Sequence, residues 1–343
     1  MTLIKRALLA ASVATVMVAA AQARDQIRIV GSSTVYPFSS YVAEEFGATT
    51  GNPTPVVEST GSGGGMKLFC AGNGLDTPDF TNASRPMKVS EWELCQKNGV
   101  KNIVGVVIGF DGISIAQNKD NPKLDLTLEQ VFLALAQEVP SKDGKSLIKN
   151  PYKKWSDIDP SLPDREIKVI GAPTTSGTRD AFDEMVMEKA SKKFPVYGGK
   201  YKKIRTDGAF IPGGENDNLI VQRLVQDKDA LGYFGYSFLE ENSDKVSGVK
   251  LNGIEPTFDN IASGKYPVSR SLFFYAKKDH FKDVKGMEEY LDLFIDDMMI
   301  GNDGVLRTIG LIPMPESELR KVQASVKART LLTLDMVKNG VVQ

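Results

Sequence analysis

Apolar and polar positions alternate in short runs along most of the chain, and many of the runs end in a cluster of Gly, Ser and Thr. Residues 26–30 (Gln-Ile-Arg-Ile-Val) carry the period of two that marks a half-buried strand, and Gly31-Ser32-Ser33-Thr34 is a turn feeding a helix over about 37–47. The unit recurs. A strand over 54–58 meets a Ser/Gly turn at 59–65 and a helix over 66–71; a brief strand over 79–81 meets a turn at 82–86 and a helix over 89–98. Further on, a strand over 168–171 meets a turn at 172–178 and a helix over 179–190. Residues 104–117 form a long β-rich run interrupted at Phe110-Asp111-Gly112. A helix over 218–227, a buried strand over 231–238, a further strand over 267–276 and a mainly helical C-terminal third complete the pattern, while 141–166 reads as an exposed connecting region. Repeated strand–turn–helix units predict an α/β fold with parallel sheets.

Composition narrows the class. The chain has 343 residues, 41% hydrophobic and 25% charged, which is globular and long enough for about two domains. Forty-two Lys and Arg against 43 Asp and Glu, with no strongly basic block, argue against a nucleic-acid binder. One His and two Cys leave little for His-based catalysis and rule out most His/Cys metal sites. A membrane channel is excluded, because the one apolar run near spanning length sits at the extreme N-terminus. That run has the layout of an export signal: Lys5 and Arg6, an apolar stretch over 8–20, then Ala21-Gln22-Ala23. A membrane anchor is the alternative, but the run is short and meets Arg24-Asp25 directly, so cleavage after Ala23 is expected. No cysteine sits at the junction to carry a lipid. Export puts Cys70 and Cys95 in an oxidising compartment, where an even pair favours a disulfide worth about 3 kcal/mol; two buried free thiols are the alternative.

The candidate chemistry lies in the turns. Three strand-to-helix turns, 31–34, 59–65 and 174–178, are loaded with Ser, Thr and Gly. The first N–H groups of a helix have no intrahelical partner, and with the macrodipole they form an anion site. Any one turn is equally an ordinary helix cap. Three in one chain, with Arg85 and Arg179 each just after a Ser-containing turn, point to a small multi-oxygen anion held largely by neutral dipoles. Competing motifs fail. Thr60-Gly61-Ser62-Gly63-Gly64 looks like a serine-protease nucleophile segment, but the lone His280 lies in a Lys- and Asp-rich stretch that reads as a solvated loop. Residues 61–68 lack the Gly-Lys-Ser/Thr order of a P-loop, and 227–229 lack the closing Glu of an EF-hand. Trp92, Trp155 and the aromatic cluster at 233–238 read as core.

Four segments together resemble the periplasmic phosphate-binding proteins of ABC-type phosphate importers: Gly31-Ser-Ser-Thr-Val-Tyr-Pro37, Ser59-Thr-Gly-Ser-Gly-Gly-Gly65, Asp79-Phe-Thr-Asn-Ala-Ser-Arg-Pro86 and Thr175-Ser-Gly-Thr-Arg-Asp180. The resemblance implies a two-lobed, type II-like binding-protein fold, with two mostly parallel sheets flanked by helices and the ligand in the interlobe cleft. It implies crossings near 106–115 and 266–276, a discontinuous first lobe (24–110 and 268–343) and a second lobe over 111–267. It further implies a monomeric, non-enzymatic receptor without metal or cofactor, which binds inorganic phosphate in the periplasm and passes it to permease subunits in the inner membrane. A receptor for another tetrahedral oxyanion such as sulfate, or an exported phosphatase, are the alternatives.

Carried over position by position, Ser33, Thr34 and Val35 are expected to give hydroxyl and backbone N–H donors, Ser62 a hydroxyl, and Ser176, Gly177 and Thr178 donors from the opposite lobe. Two departures matter. Arg85 stands where better-known members carry Asp, and Ala172 where they carry Arg. The cationic role is therefore assigned to Arg85 and Arg179, whose forks suit a tetrahedral oxyanion; a surface ion pair is the plainer reading of each. Phosphate at neutral pH keeps a proton that sulfate lacks, so a carboxylate facing the ligand favours phosphate. Asp111 is the candidate for that acceptor, ahead of Glu58 and Asp217; a turn-capping role is its alternative.

Overall fold

The computed structural model describes residues 24–174, 176–214 and 217–342; the expected leader, 1–23, lies outside the described residues. No helix among the described residues is long and apolar enough to cross a membrane. Strand β1 (Arg28–Gly31) has Ile29 and Val30 buried on opposite faces, and it pairs in parallel on both edges, with β2 (Val56–Ser59) and β3 (Phe80–Ala83). Helix α1 (Tyr36–Thr50) crosses between β1 and β2, starts with a Pro in its first turn and stops at Gly51 in the left-handed region. It buries Phe38, Val42 and Phe46, spaced by four.

Helix α2 (Gly61–Phe69) starts five residues earlier than the sequence pattern predicts, so the glycines of 61–65 are helical. The reason is packing. A Cβ on Gly65 would lie 2.5 Å from Gly31 Cα, so glycine lets α2 press directly onto β1. Helix α3 (Val89–Lys97) carries Cys95, which forms a disulfide with Cys70 just past the end of α2.

Strand β4 (Ile103–Asn118) runs unbroken through the interruption expected at Phe110-Asp111-Gly112. A bulge absorbs the irregularity: Leu272 pairs with Gly109 and Phe273 with Val107, leaving Ile108 without a partner across the ladder. The first half of β4 pairs antiparallel with the strand Ser269–Lys277, and the second half with Leu231–Gly235 and Val246–Gly248. The full order is β2, β1, β3, Ser269–Lys277, β4, Leu231–Gly235, Val169–Gly171, Phe210–Pro212. The two expected sheets thus share β4 and form one curled, mixed sheet, parallel at both flanks and antiparallel at its centre.

Three apolar cores sit on this sheet: two large ones that define two lobes, and a small third one around Met66, Phe69, Cys95 and Tyr275. Of the large ones, the first gathers Ile29, Val42, Phe80, Val106, Phe274 and Tyr290; the second gathers Ile115, Phe132, Trp155, Val169, Phe182 and Tyr233. Along β4 the change falls between Ile108 and Ile113, and Phe110 packs against both large cores.

Several sequence expectations need correction. The strand over 231–238 ends at Gly235, whose N–H donates to Asp217 Oδ2 (3.2 Å), and a helix follows over Tyr236–Glu241. The helix over 179–190 begins at Gly177, capped by the Ser176 hydroxyl, and widens into a π-helical stretch over Asp183–Glu188. The stretch 141–166 is not wholly exposed, because Trp155 fills the second core. His280 is buried rather than solvated. Its Nδ1 lies 2.7 Å from Asp79 Oδ1 and its Nε2 3.1 Å from the Asn73 carbonyl oxygen. Asp79, itself buried, also accepts from the Arg28 N–H (2.8 Å) and the Arg24 guanidinium, so the stretch around His280 is tied to the edge of β3 and to the first described residue.

Candidate functional site

Two polar turns from different lobes meet at the centre of the molecule. The first, Ser33-Thr34-Val35, links β1 to α1. Gly31 has φ 134° there, and the Asn82 backbone leaves no room for a side chain, so both the conformation and the packing require glycine. The N–H groups of Ser33, Thr34 and Val35 donate to no acceptor among the described residues, and they stand at the positive end of α1. The second turn, Ser176-Gly177-Thr178, opens the helix Gly177–Phe182. A Cβ on Gly177 would lie 3.4 Å from the Ser33 carbonyl oxygen, so the two backbones nearly touch.

A cavity of about 270 Å³ lies between them, lined by Ser33, Thr34, Asp111, Ser176, Gly177 and Thr178, together with Asp217, Ser237 and an apolar wall that includes Phe38 and Phe238. A second cavity of about 240 Å³ shares Ser33 and Thr34 and adds Ser62, Ser84, Asp180, Glu184 and Lys202. The Ser62 hydroxyl accepts from the Ser84 N–H at 3.0 Å. Of the residues named from sequence, the structure brings Ser33, Thr34, Asp111, Ser176, Gly177 and Thr178 to one cavity and puts Ser62 on the neighbouring one. Val35 is fully buried and lines neither cavity.

The two arginines named from sequence are held elsewhere. Arg85 forks onto Glu91 with contacts of 2.9 and 2.6 Å, and that hydrogen bond raises its pKa above the ordinary arginine value. Arg179 is buried, donates to Asp183 Oδ1 (2.8 Å) and lies over the Phe210 ring at 5.0 Å. Burial pushes the Asp183 carboxyl up despite that partner. Neither guanidinium lines either cavity.

Arg270, which the sequence reading passes over, lines neither cavity either, but its guanidinium is hydrogen-bonded to residues that line both. Its Nη2 donates to Thr34 Oγ1 (2.8 Å), its Nε to Asp111 Oδ2 (3.1 Å) and its Nη1 to Glu184 Oε2 (2.8 Å). The register of the sheet puts it there, since Arg270 is the cross-strand partner of Asp111 where β4 passes between lobes. The other oxygen of Asp111 accepts no hydrogen bond among the described residues. The lobes also touch directly: Ser33 Oγ donates to Asp180 Oδ2 (3.1 Å), and Arg307 to Glu240 (2.8 Å). Among the described residues no group of three His, Cys, Asp or Glu side chains could hold a metal ion. The arrangement offers hydroxyls, open backbone N–H groups and an adjacent guanidinium, with carboxylates from Asp111 and Asp217 on the first cavity and from Asp180, Asp183 and Glu184 on the second, a lining that an oxyanion can enter only if it keeps a proton.

Comparison with known proteins identifies the family. Residues 18–298 match the PBP superfamily domain. The chain is 31% identical over 316 residues to Protein SphX of Synechococcus elongatus, covering 90% of this chain and 83% of that one. It is 30% identical over 302 residues to the phosphate-binding protein PstS of Staphylococcus saprophyticus, covering 86% and 82%. Its fold superposes with a TM-score of 0.72 on a "possible phosphate binding protein" from Planctomyces limnophilus, at 30% identity over 90% of this chain and 99% of the other. The chain belongs to the PBP superfamily and, within it, to the family of the phosphate-binding protein PstS.

Proposed function

We infer that the chain is a receptor that binds inorganic phosphate outside the cytoplasm and delivers it to an ABC-type membrane permease. The observation that carries this reading is the meeting of two Ser/Thr turns, one from each lobe, beside Arg270 and Asp111. Phosphate sits between the turns, taking donors from Ser33, Thr34 and Val35 on one side and Ser176, Gly177 and Thr178 on the other. Arg270 supplies the cation that the sequence reading gave to Arg85 and Arg179. No bond of the ligand is made or broken. The receptor acts as a monomer in the periplasm after cleavage following Ala23, with lobe I over 24–110 and 268–343 and lobe II over 111–267. Closure follows from differential affinity, because donors from both lobes reach the ligand only when the lobes are together.

Asp111 sets the choice of anion in this account. Its Oδ2 is held by Arg270, which leaves Oδ1 to accept the proton of phosphate; sulfate offers no proton and meets like charge. Asp111→Asn is expected to weaken phosphate binding by about 10–100-fold, the cost of an unmade hydrogen bond at a partly buried group, while sulfate binding holds or improves. Parallel titrations with the two anions check it. An unchanged phosphate-to-sulfate ratio would remove Asp111 from the selectivity argument.

A further inference from the structure

The even overall charge hides one segregated run. Residues 189–205 contain six Lys, one Arg and no Asp or Glu, in a chain whose net charge is −1. The structure folds the lysines of this run into a collar rather than dispersing them. Glu188, at the end of the π-helical stretch, receives Lys192 at 3.2 Å, Lys200 at 2.8 Å and Lys202 at 3.3 Å. One carboxylate thus gathers three ammonium groups and leaves a local excess of positive charge. Lys193 and Lys203 adjoin them, and both are exposed. Lys202 lines the cavity that also holds Ser33, Thr34 and Ser62, so the collar opens onto the cleft. The same cavity exposes Asp180, Asp183 and Glu184, which repel an incoming anion.

We propose that this lysine collar is an electrostatic steering surface, which concentrates phosphate at the cleft mouth and sets the association rate. The proposal rests on the phosphate-receptor reading above and extends it from equilibrium to kinetics. Attraction at the rim of a cleft offsets the acidic lining during approach, where the ligand is still hydrated and outside the reach of the turns. Such steering raises association rates by about 10–1,000-fold and fades as salt shortens the Debye length from about 10 Å at 0.1 M. Lys192, Lys193, Lys200 and Lys203 line neither cavity, so their charge is assigned to entry rather than to release. Glu188 arranges the collar and also limits it, since it neutralises part of the charge it gathers.

The test is the rate of radiolabelled phosphate capture and release by rapid mixing, across ionic strength. One variant carries Lys192→Gln, Lys193→Gln, Lys200→Gln and Lys203→Gln, leaving Lys202 at the cavity wall; a second carries Arg at the same four positions. The Gln variant is expected to associate about tenfold more slowly at low salt, with a flatter salt dependence and an unchanged release rate. The Arg variant keeps the wild-type rate, which separates lost charge from damaged folding. Equal association rates for the wild type and the Gln variant at every ionic strength would overturn the proposal, as would a change confined to release. Failure of the wild-type chain itself to capture phosphate would instead overturn the receptor reading, and the steering role with it.

Discussion

Arg270→Met is expected to abolish tight phosphate binding while leaving the chain folded. Arg270 is the guanidinium that touches both turn and selectivity carboxylate, through Thr34 and Asp111, and it reaches Glu184 on the opposite lobe. Removing it takes away the cation and also strands two carboxylates beside the ligand. Truncating one member of a buried hydrogen-bonded charge pair costs about 2–5 kcal/mol; Arg270 and Asp111 are partly buried, so the lower part of that range applies, roughly 30- to 300-fold in affinity. Arg270→Lys should recover only part of this, since one ammonium nitrogen cannot reproduce the three separate nitrogens that reach Asp111, Glu184 and Thr34. Arg307→Gln is the contrasting case: Arg307 also bridges the lobes, to Glu240, but both side chains are more than a third exposed. An exposed pair of that kind contributes about 0–1 kcal/mol, so the change should scarcely move phosphate affinity. Equal affinities for wild type and Arg270→Met by calorimetry would take the cationic role away from Arg270.

Gly31→Ala is expected to damage the fold and the site together. Gly31 sits at φ 134°, and a Cβ there would lie 2.2 Å from the Asn82 carbonyl oxygen and 2.7 Å from its nitrogen, both backbone atoms. Overpacking against backbone costs about 1–3 kcal/mol or more, and the backbone conformation about 1–3 kcal/mol, for a combined loss near 4 kcal/mol. Relief would require β1 to separate from β3, which moves the Ser33–Val35 turn away from Gly177. Gly144→Ala separates the two causes: Gly144 has φ 69° but open space around it, so it should lose only about 1 kcal/mol. Thermal denaturation of both variants checks the difference. A Gly31→Ala protein as stable as Gly144→Ala would mean that the β1–β3 contact is looser than the geometry indicates.

The sequence made some of this legible, for physical reasons that differ by element. The turns at 31–34 and 176–178 were readable because Gly, Ser and Thr at a strand-to-helix junction have few other uses, and the structure puts both on one cavity. Continuity of β4 was not readable. Gly109-Phe110-Asp111-Gly112 has turn composition, yet Gly109 serves a different end: at φ 144° it lets the chain around Ile312 close onto β4, with Phe110 and Ile312 exchanging backbone hydrogen bonds of 2.8 and 3.0 Å. Arg270 was invisible for a related reason. Nothing local marks it, and only the antiparallel register with β4 brings it to Asp111, 159 residues away. Arg85 and Arg179 looked functional because they follow Ser-rich turns, but Glu91 and Asp183, close in sequence to each, bind them first. His280 misled in the same way, since its Lys- and Asp-rich neighbours conceal a buried partner, Asp79, 201 residues away.

The most direct test of the phosphate-receptor account is calorimetric titration of the chain lacking residues 1–23, stripped of ligand, with inorganic phosphate at neutral pH and sulfate as competitor. The account predicts tight binding of one phosphate per chain that excess sulfate does not displace. Absence of a phosphate heat, or sulfate binding as tightly as phosphate, would contradict it.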